Sequence, residues 1–189
     1  GHYTWQINNV SGTEGADPGW SKLYVNGGLT ISANSGSKFN IDITSLTAGD
    51  VPGIPAGLTP ATAYTWHILT ASGGISGFSP DAFNLNTGNF SGGGASGTFA
   101  IVQNGSDLNL TFTPPLKITG VTVLANQTMQ LSLLGTAGSN YVIQATTNLA
   151  PPATWVNLST NMAGTDGTFQ YIDVGATNIG QQFYRLTTP

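Results

Sequence analysis

The sequence predicts an all-β chain, with a β-helix-like or sandwich unit first and a compact antiparallel β-sandwich after it. Three observations carry this reading. Apolar residues recur at spacing two, the period that puts alternate side chains on one face of a strand. Turn residues interrupt these runs about every ten residues, as in sandwiches and barrels. Apolar positions at helical spacing are almost missing.

The elements follow in order. Tyr3, Trp5 and Ile7 share one strand face. Leu23/Val25, Leu29/Ile31 and Phe39/Ile41/Ile43 give the next strands, punctuated by Asn26-Gly27-Gly28 and Ser35-Gly36. A single short helical turn is expected over Pro60–Thr65, with Thr59 as its cap. Trp66 and Ile68 then share a strand face, with His67 on the other. Ser91–Gly97 carries the glycine stretch Gly92-Gly93-Gly94. It lacks the Gly-Lys-Ser/Thr ending of a phosphate loop and reads as a connection between strands. Phe99/Ile101 and Leu108/Leu110/Phe112 flank Asn104-Gly105, a dipeptide suited to the positive φ of a tight hairpin.

Thr113-Pro114-Pro115 marks a boundary, because two prolines remove two donors from any central strand. Residues 1–114 form one expected unit and 116–189 the other. In the second, Leu131/Leu133, Tyr141/Ile143/Ala145 and Phe169/Tyr171 alternate, and Asp166-Gly167 marks a turn. Turn spacing there predicts about six or seven strands. Within the first unit, Tyr3-Thr4-Trp5-Gln6-Ile7 is echoed by Tyr64-Thr65-Trp66-His67-Ile68, and Phe39-Asn40-Ile41 by Phe99-Ala100-Ile101. Such an echo suggests stacked or wound sheets.

Composition narrows the function. The 189 residues include four Lys+Arg and eight Asp+Glu, or 6% charged, against roughly 25% in an ordinary soluble domain. Lys22, Lys38, Lys117 and Arg185 are scattered, so no basic patch awaits nucleic acid. No apolar run approaches a membrane helix, and no secretory leader pattern is visible. Cysteine is absent, which removes disulfides, thiolate metal sites and thiol nucleophiles. The surface must be wetted by hydroxyl, amide and backbone groups.

Few residues are candidates for chemistry. Asp17, Asp50, Asp81, Asp107 and Asp166 lie beside Gly, Pro or Ser, where Asp bonds its own backbone. A glycosidase would need two carboxylates converging in space, such as Asp42 and Asp107. His2 and His67 lack any zinc motif, and no cofactor is implied. The calcium-loop pattern is absent. A site of carbonyls and one or two carboxylates would start from Asp107 or Asp166. The aromatics are the best handle, since an indole can stack on a sugar ring. Trp20 follows the turn Asp17-Pro18-Gly19, and Trp155 follows Pro151-Pro152-Ala153-Thr154, so both could be presented outward. Trp5 and Trp66 are expected in the core.

Tyr3–Ile7, Gly19-Trp20-Ser21-Lys22-Leu23 and Val25–Ile31 resemble the end of autotransporter-like passenger proteins, secreted bacterial proteins of β-strand repeats wound into a right-handed β-helix. Trp66-His67-Ile68, Ser72-Gly73-Gly74-Ile75 and Leu108–Pro114 are similar to its closing coils, so the resemblance spans about residues 3–114. Tyr141–Ala145, Trp155, Gly167-Thr168-Phe169 and Phe183-Tyr184-Arg185-Leu186 resemble small β-sandwich modules appended to such proteins. The resemblance implies secretion or a cell-surface location, a surface or matrix role, and no catalytic residues.

Three readings follow. The first is a non-catalytic extracellular module that caps, anchors, adheres or self-assembles through strand edges or with other surface proteins. The second is a carbohydrate-binding module using Trp20 and Trp155. The third is a glycan-acting enzyme.

Overall fold

The computed structural model describes residues 1–59, 61–92 and 97–189. The chain is all-β: apart from short 3-10 turns at Pro80–Ala82 and Val174–Asn178, its described regular structure is strand. It divides into two units, Gly1–Thr113 and Pro114–Pro189.

The first unit contains β1 (His2–Ile7), β2 (Thr13–Glu14), β3 (Gly19–Trp20), β4 (Leu23–Val25), β5 (Leu29–Thr30) and β6 (Phe39–Ser45). It continues with β7 (Tyr64–Ala71), β8 (Ile75–Ser76), β9 (Phe83–Asn89), β10 (Thr98–Asn104) and β11 (Asp107–Thr113). One sheet has the order β2-β3-β1-β6-β9, a second β10-β11-β7-β4, and β5 pairs with β8 alone. Besides the short β2–β3 pair, three sets of pairs are parallel: β1–β6–β9, β4–β7 and β5–β8. His2 lies beside Asn40, Phe39 beside Phe83, Leu23 beside Leu69 and Leu29 beside Ile75. Parallel neighbours this far apart in sequence need long crossovers. The chain makes them by passing from one sheet to the other and back, so successive passes stack.

Alternation sets what each strand buries. Trp5 and Ile7 of β1 and Ile41 and Ile43 of β6 point inward. They meet Trp66 and Ile68 of β7, Ile101 of β10 and Leu108, Leu110 and Phe112 of β11. Trp5 and Trp66 are fully buried, as expected, with ring centroids 5.4 Å apart and planes tilted by 45°. Each such side chain contributes about 1.5–3 kcal/mol through burial alone, and the ring pair adds about 0.5–1.5 kcal/mol.

This contact explains the echo. The two Tyr-Thr-Trp-x-Ile segments are not stacked partners; they lie on different sheets and face each other across one core. The same inward triplet serves both walls. Phe39 and Phe99 likewise belong to different sheets.

Turn residues act in two ways. Asn104-Gly105 closes the β10–β11 hairpin, with Gly105 at φ 60°. Asn26-Gly27-Gly28 instead carries the chain from the sheet of β4 to the β5–β8 pair. Gly19 is required by close approach, because a Cβ there would lie 1.9 Å from the Thr13 carbonyl oxygen. Pro60 of the expected helical turn lies outside the described residues; Thr62 N–H bonds the Thr59 carbonyl at 3.0 Å, and β7 begins at Tyr64. Residues 93–96 of the glycine-rich loop also lie outside them.

The second unit is two three-stranded antiparallel sheets. These use β12 (Lys117–Val123), β13 (Met129–Leu134), β14 (Asn140–Thr146), β15 (Val156–Met162), β16 (Thr168–Asp173) and β17 (Phe183–Thr187). Their orders are β12-β13-β16 and β15-β14-β17. Leu131, Leu133 and Ile143 form the buried centre, with Ile118, Leu158, Phe169, Tyr171, Tyr184 and Leu186 packed around it.

Asp173 is 4% exposed in this unit. It accepts from Gly175 N–H at 2.9 Å, Gln182 Nε2 at 3.0 Å and the Tyr184 hydroxyl at 3.0 Å. Burial, and then this bond, push the Tyr184 hydroxyl well above its ordinary value. Asp173→Ala strands three donors and is expected to cost about 3 kcal/mol. Asp173→Asn is expected to be nearly as costly, because an amide offers only one acceptor atom. Urea unfolding followed by circular dichroism measures both.

Three of the four Trp lie in the first unit, so Trp155→Phe leaves fluorescence reporting only that unit. In that background Trp5→Ala is expected to destabilise the fluorescence transition by about 3–5 kcal/mol. Leu131→Ala, which empties the other core, is expected to leave it in place.

Candidate functional site

The few charged groups are not spread evenly. In the first unit, Lys22 Nζ donates to Glu14 Oε1 at 2.6 Å, and Glu14 Oε2 lies 3.2 Å from His67 Nδ1. The Lys22 side chain is only 6% exposed. The Trp20 indole N–H donates to the His67 carbonyl at 3.0 Å. Lys22 also sits 4.9 Å above the Tyr24 ring. Residues 13–22 cross from β1 to β7 here, and these contacts fix the crossing.

A second group lies on the outer face of the β1–β6–β9 sheet. His2 Nε2 is 2.6 Å from Asp42 Oδ2, Asn86 Nδ2 donates to Asp42 Oδ1 at 3.1 Å, and Asn84 Nδ2 donates to Asn40 Oδ1 at 2.9 Å. Parallel in-register strands bring like positions together, so the Asn and Asp side chains form rows across them.

A third group gathers Asp17 and Asp50. The buried Asn8 donates through Nδ2 to Asp17 Oδ1 at 2.6 Å and to Asp50 Oδ1 at 2.8 Å, while its Oδ1 accepts from Gly19 N–H. These are the carboxylates that converge. Asp42 and Asp107 do not meet: Asp42 engages His2 and Asn86, and Asp107 Oδ1 accepts from the Thr70 hydroxyl at 2.5 Å. Neither Asp17 nor Asp50 lines a described cavity.

Of the acids singled out for calcium, Asp166 accepts from the backbone N–H of Thr168 at 2.9 Å and its hydroxyl at 2.8 Å. This is the local turn bonding expected of it. Asp107 stands at the start of β11. Among the described residues no three of His, Cys, Asp and Glu group to hold a metal.

The two turn-adjacent indoles have different surroundings. Trp20 is half-buried against the first core, and its N–H is taken by β7. Trp155 precedes β15, half-buried, with the Arg185 guanidinium carbon 4.3 Å from its ring centroid. Arg185 Nε donates to Gln144 Oε1 at 2.6 Å, and Gln144 Nε2 donates to Asn157 Oδ1 at 2.6 Å. Gln144 lies opposite Asn157 on one side and Arg185 on the other. The sequence flags Trp155 but not its three companions, because their meeting depends on strand pairing.

An apolar cavity of about 450 Å³ lies in the first unit, lined by Tyr3, Leu29, Ile31, Phe39, Phe83 and Leu108 among others. Burial pushes the Tyr3 hydroxyl up to about 12, with the Ser21 side chain drawing it partly back. Comparison with protein-family models, curated proteins and solved structures finds no match to this chain.

Glu14 is held below its ordinary 4.5, chiefly by the Lys22 hydrogen bond, and Asp42 below its ordinary 3.8 by the His2 and then the Asn86 bonds. A carboxylate depressed by folding adds stability above its unfolded value and loses it as pH falls through the folded one. Stability is therefore expected to decline below about pH 4. Glu14→Gln is expected to flatten part of that decline, as read by urea titrations at stepped pH.

Proposed function

We propose that this chain is a non-catalytic extracellular structural module of a bacterial surface protein, whose wound first unit continues or terminates a stack of β-coils. One observation carries this reading: apart from the short antiparallel cover of β3 and β2 on β1, the outermost strands of each large sheet run in the same direction. In one sheet β1 and β9 are parallel to β6. In the other, β4 is parallel to β7, and β10 returns to that direction through antiparallel β11. A further coil, or a second copy added head to tail, would therefore meet parallel strands in both sheets at once.

The edges fit this use. Among the described residues no strand pairs with the outer edges of β4, β9 or β10, and β1 is covered on its outer side at Ile7, by Trp20. Unpaired edges without charge favour strand addition. The crossing at residues 13–22 covers one end of β1 and restrains addition there. Secretion and a surface location belong to the same proposal, supported by the hydroxyl- and amide-rich surface.

A second reading, carbohydrate binding, is favoured by the half-buried indole of Trp155 beside the polar row of Arg185, Gln144 and Asn157.

Light scattering and electron microscopy of concentrated protein test the first reading. Elongated assemblies, or end-to-end growth onto a fragment of β-coils, are expected. A chain that stays monomeric at every concentration and adds to nothing contradicts assembly. Val102→Pro on the edge strand β10 is expected to abolish such growth.

A further inference from the structure

We infer that the outer face of β15-β14-β17 is a binding site for an acidic polysaccharide, with Arg185 gripping a sugar carboxylate and Trp155 holding Arg185 in place. The inference rests on the carbohydrate reading of this face and changes the part played by the indole. The ring face at 4.3 Å is occupied by the guanidinium, so Trp155 acts here as a support.

The hydrogen-bond directions in the row are fixed by one residue. Arginine can only donate. Arg185 Nε lies 2.6 Å from a Gln144 side-chain atom, so that atom is the amide oxygen. The Gln144 amide nitrogen must then face Asn157, and the Asn157 oxygen must face it at 2.6 Å. The groups left without a partner at the two ends are donors, the four guanidinium N–H groups beyond Nε and the Asn157 amide NH₂, while the two amide oxygens already accept one bond each. Two strand spacings separate the ends, about 10 Å, the length of a disaccharide. A row whose unpartnered groups are mainly donors suits a ligand rich in acceptors.

Charge favours an anion. Arg185 is exposed and forms no ion pair among the described residues. The other charges of this unit are Lys117, Asp166 and Asp173. Asp173 is buried and bonded within the fold, and Asp166 is engaged by Thr168. Arg185 is also pre-organised: stacked on Trp155 and tied at Nε, it has little rotamer freedom left to lose on binding. Its two terminal nitrogens can take a carboxylate in the bidentate manner that a lysine cannot match. The neutral amides beside it suit the hydroxyls of the adjoining sugar.

Native gels containing polygalacturonate, neutral galactan or polyglutamate test this with the full chain. Retention by polygalacturonate, weakened by added salt, is expected. Arg185→Gln and Arg185→Lys are each expected to reduce it by about tenfold, the second because it keeps the charge but loses the fork and the stack. Asn157→Ala is expected to reduce it less. Circular dichroism of each variant shows whether the fold is kept, and Arg185→Lys is the conservative check. Equal retention of Arg185→Lys and the parent overturns the inference in favour of simple charge attraction. Equal retention by polyglutamate overturns it in favour of an acidic peptide. Retention by galactan alone, unmoved by Arg185→Gln, overturns the acid site but keeps the carbohydrate reading. No retention in any gel removes both.

Discussion

The first unit depends on β6 being paired in parallel on both sides, with β1 and β9. A parallel neighbour cannot be reached by a tight turn. Once β1, β6 and β9 are in register, the chain between them has to leave the sheet and return. The intervening segments supply β4, β5, β7 and β8, which pair in parallel with their own counterparts. The opposed Trp5 and Trp66 then fix the distance between the two large sheets. A shift of one residue in any of these strands would turn its inward side chains to solvent, so register and core specify each other.

Scarcity of charge shapes the rest. With so few ionic groups, those present are used locally. Lys22, Glu14 and His67 hold the crossing over the end of β1; Asp17 and Asp50 share Asn8; Asp173 gathers three donors inside the second unit. On the outer faces, amides bond to one another across strands, as Asn40 with Asn84 and Gln144 with Asn157, beside exposed apolar residues such as Val121 and Met162. Such faces are wet with little charge. They can meet another strand, or a sugar, without stripping water from an ion.

Much of the architecture was legible because period two is a direct consequence of strand geometry. Phe39/Ile41/Ile43, Leu108/Leu110/Phe112 and Leu131/Leu133 fall in β6, β11 and β13 with the expected faces inward. Partner choice was not legible. The Tyr-Thr-Trp-x-Ile echo pointed to stacked or wound sheets without saying which strands pair; it marks two facing walls, because alternation gives a strand's buried face and not its neighbour. β9 and β15 were hard to read: Phe83-Asn84-Leu85-Asn86 and Val156–Met162 are rich in Asn, Ser and Thr, residues that also make turns. The site residues followed the same rule. Trp155 stands out in sequence by its turn, while Arg185, Gln144 and Asn157 join it only through pairing of β14 with β15 and β17.

The stacked parallel arrangement can be measured directly, because the chain carries no cysteine of its own. Asn40 and Asn84 are register neighbours on adjacent parallel strands, with their side chains hydrogen-bonded on an exposed face. Adjacent positions of this kind lie within the span a disulfide can bridge. The double variant Asn40→Cys, Asn84→Cys should form an intramolecular disulfide under mild oxidation, and a companion pairing Asn40→Cys with Asp107→Cys should keep both thiols free. Free thiols in the first variant, or bridging in the second, would contradict the stacked fold.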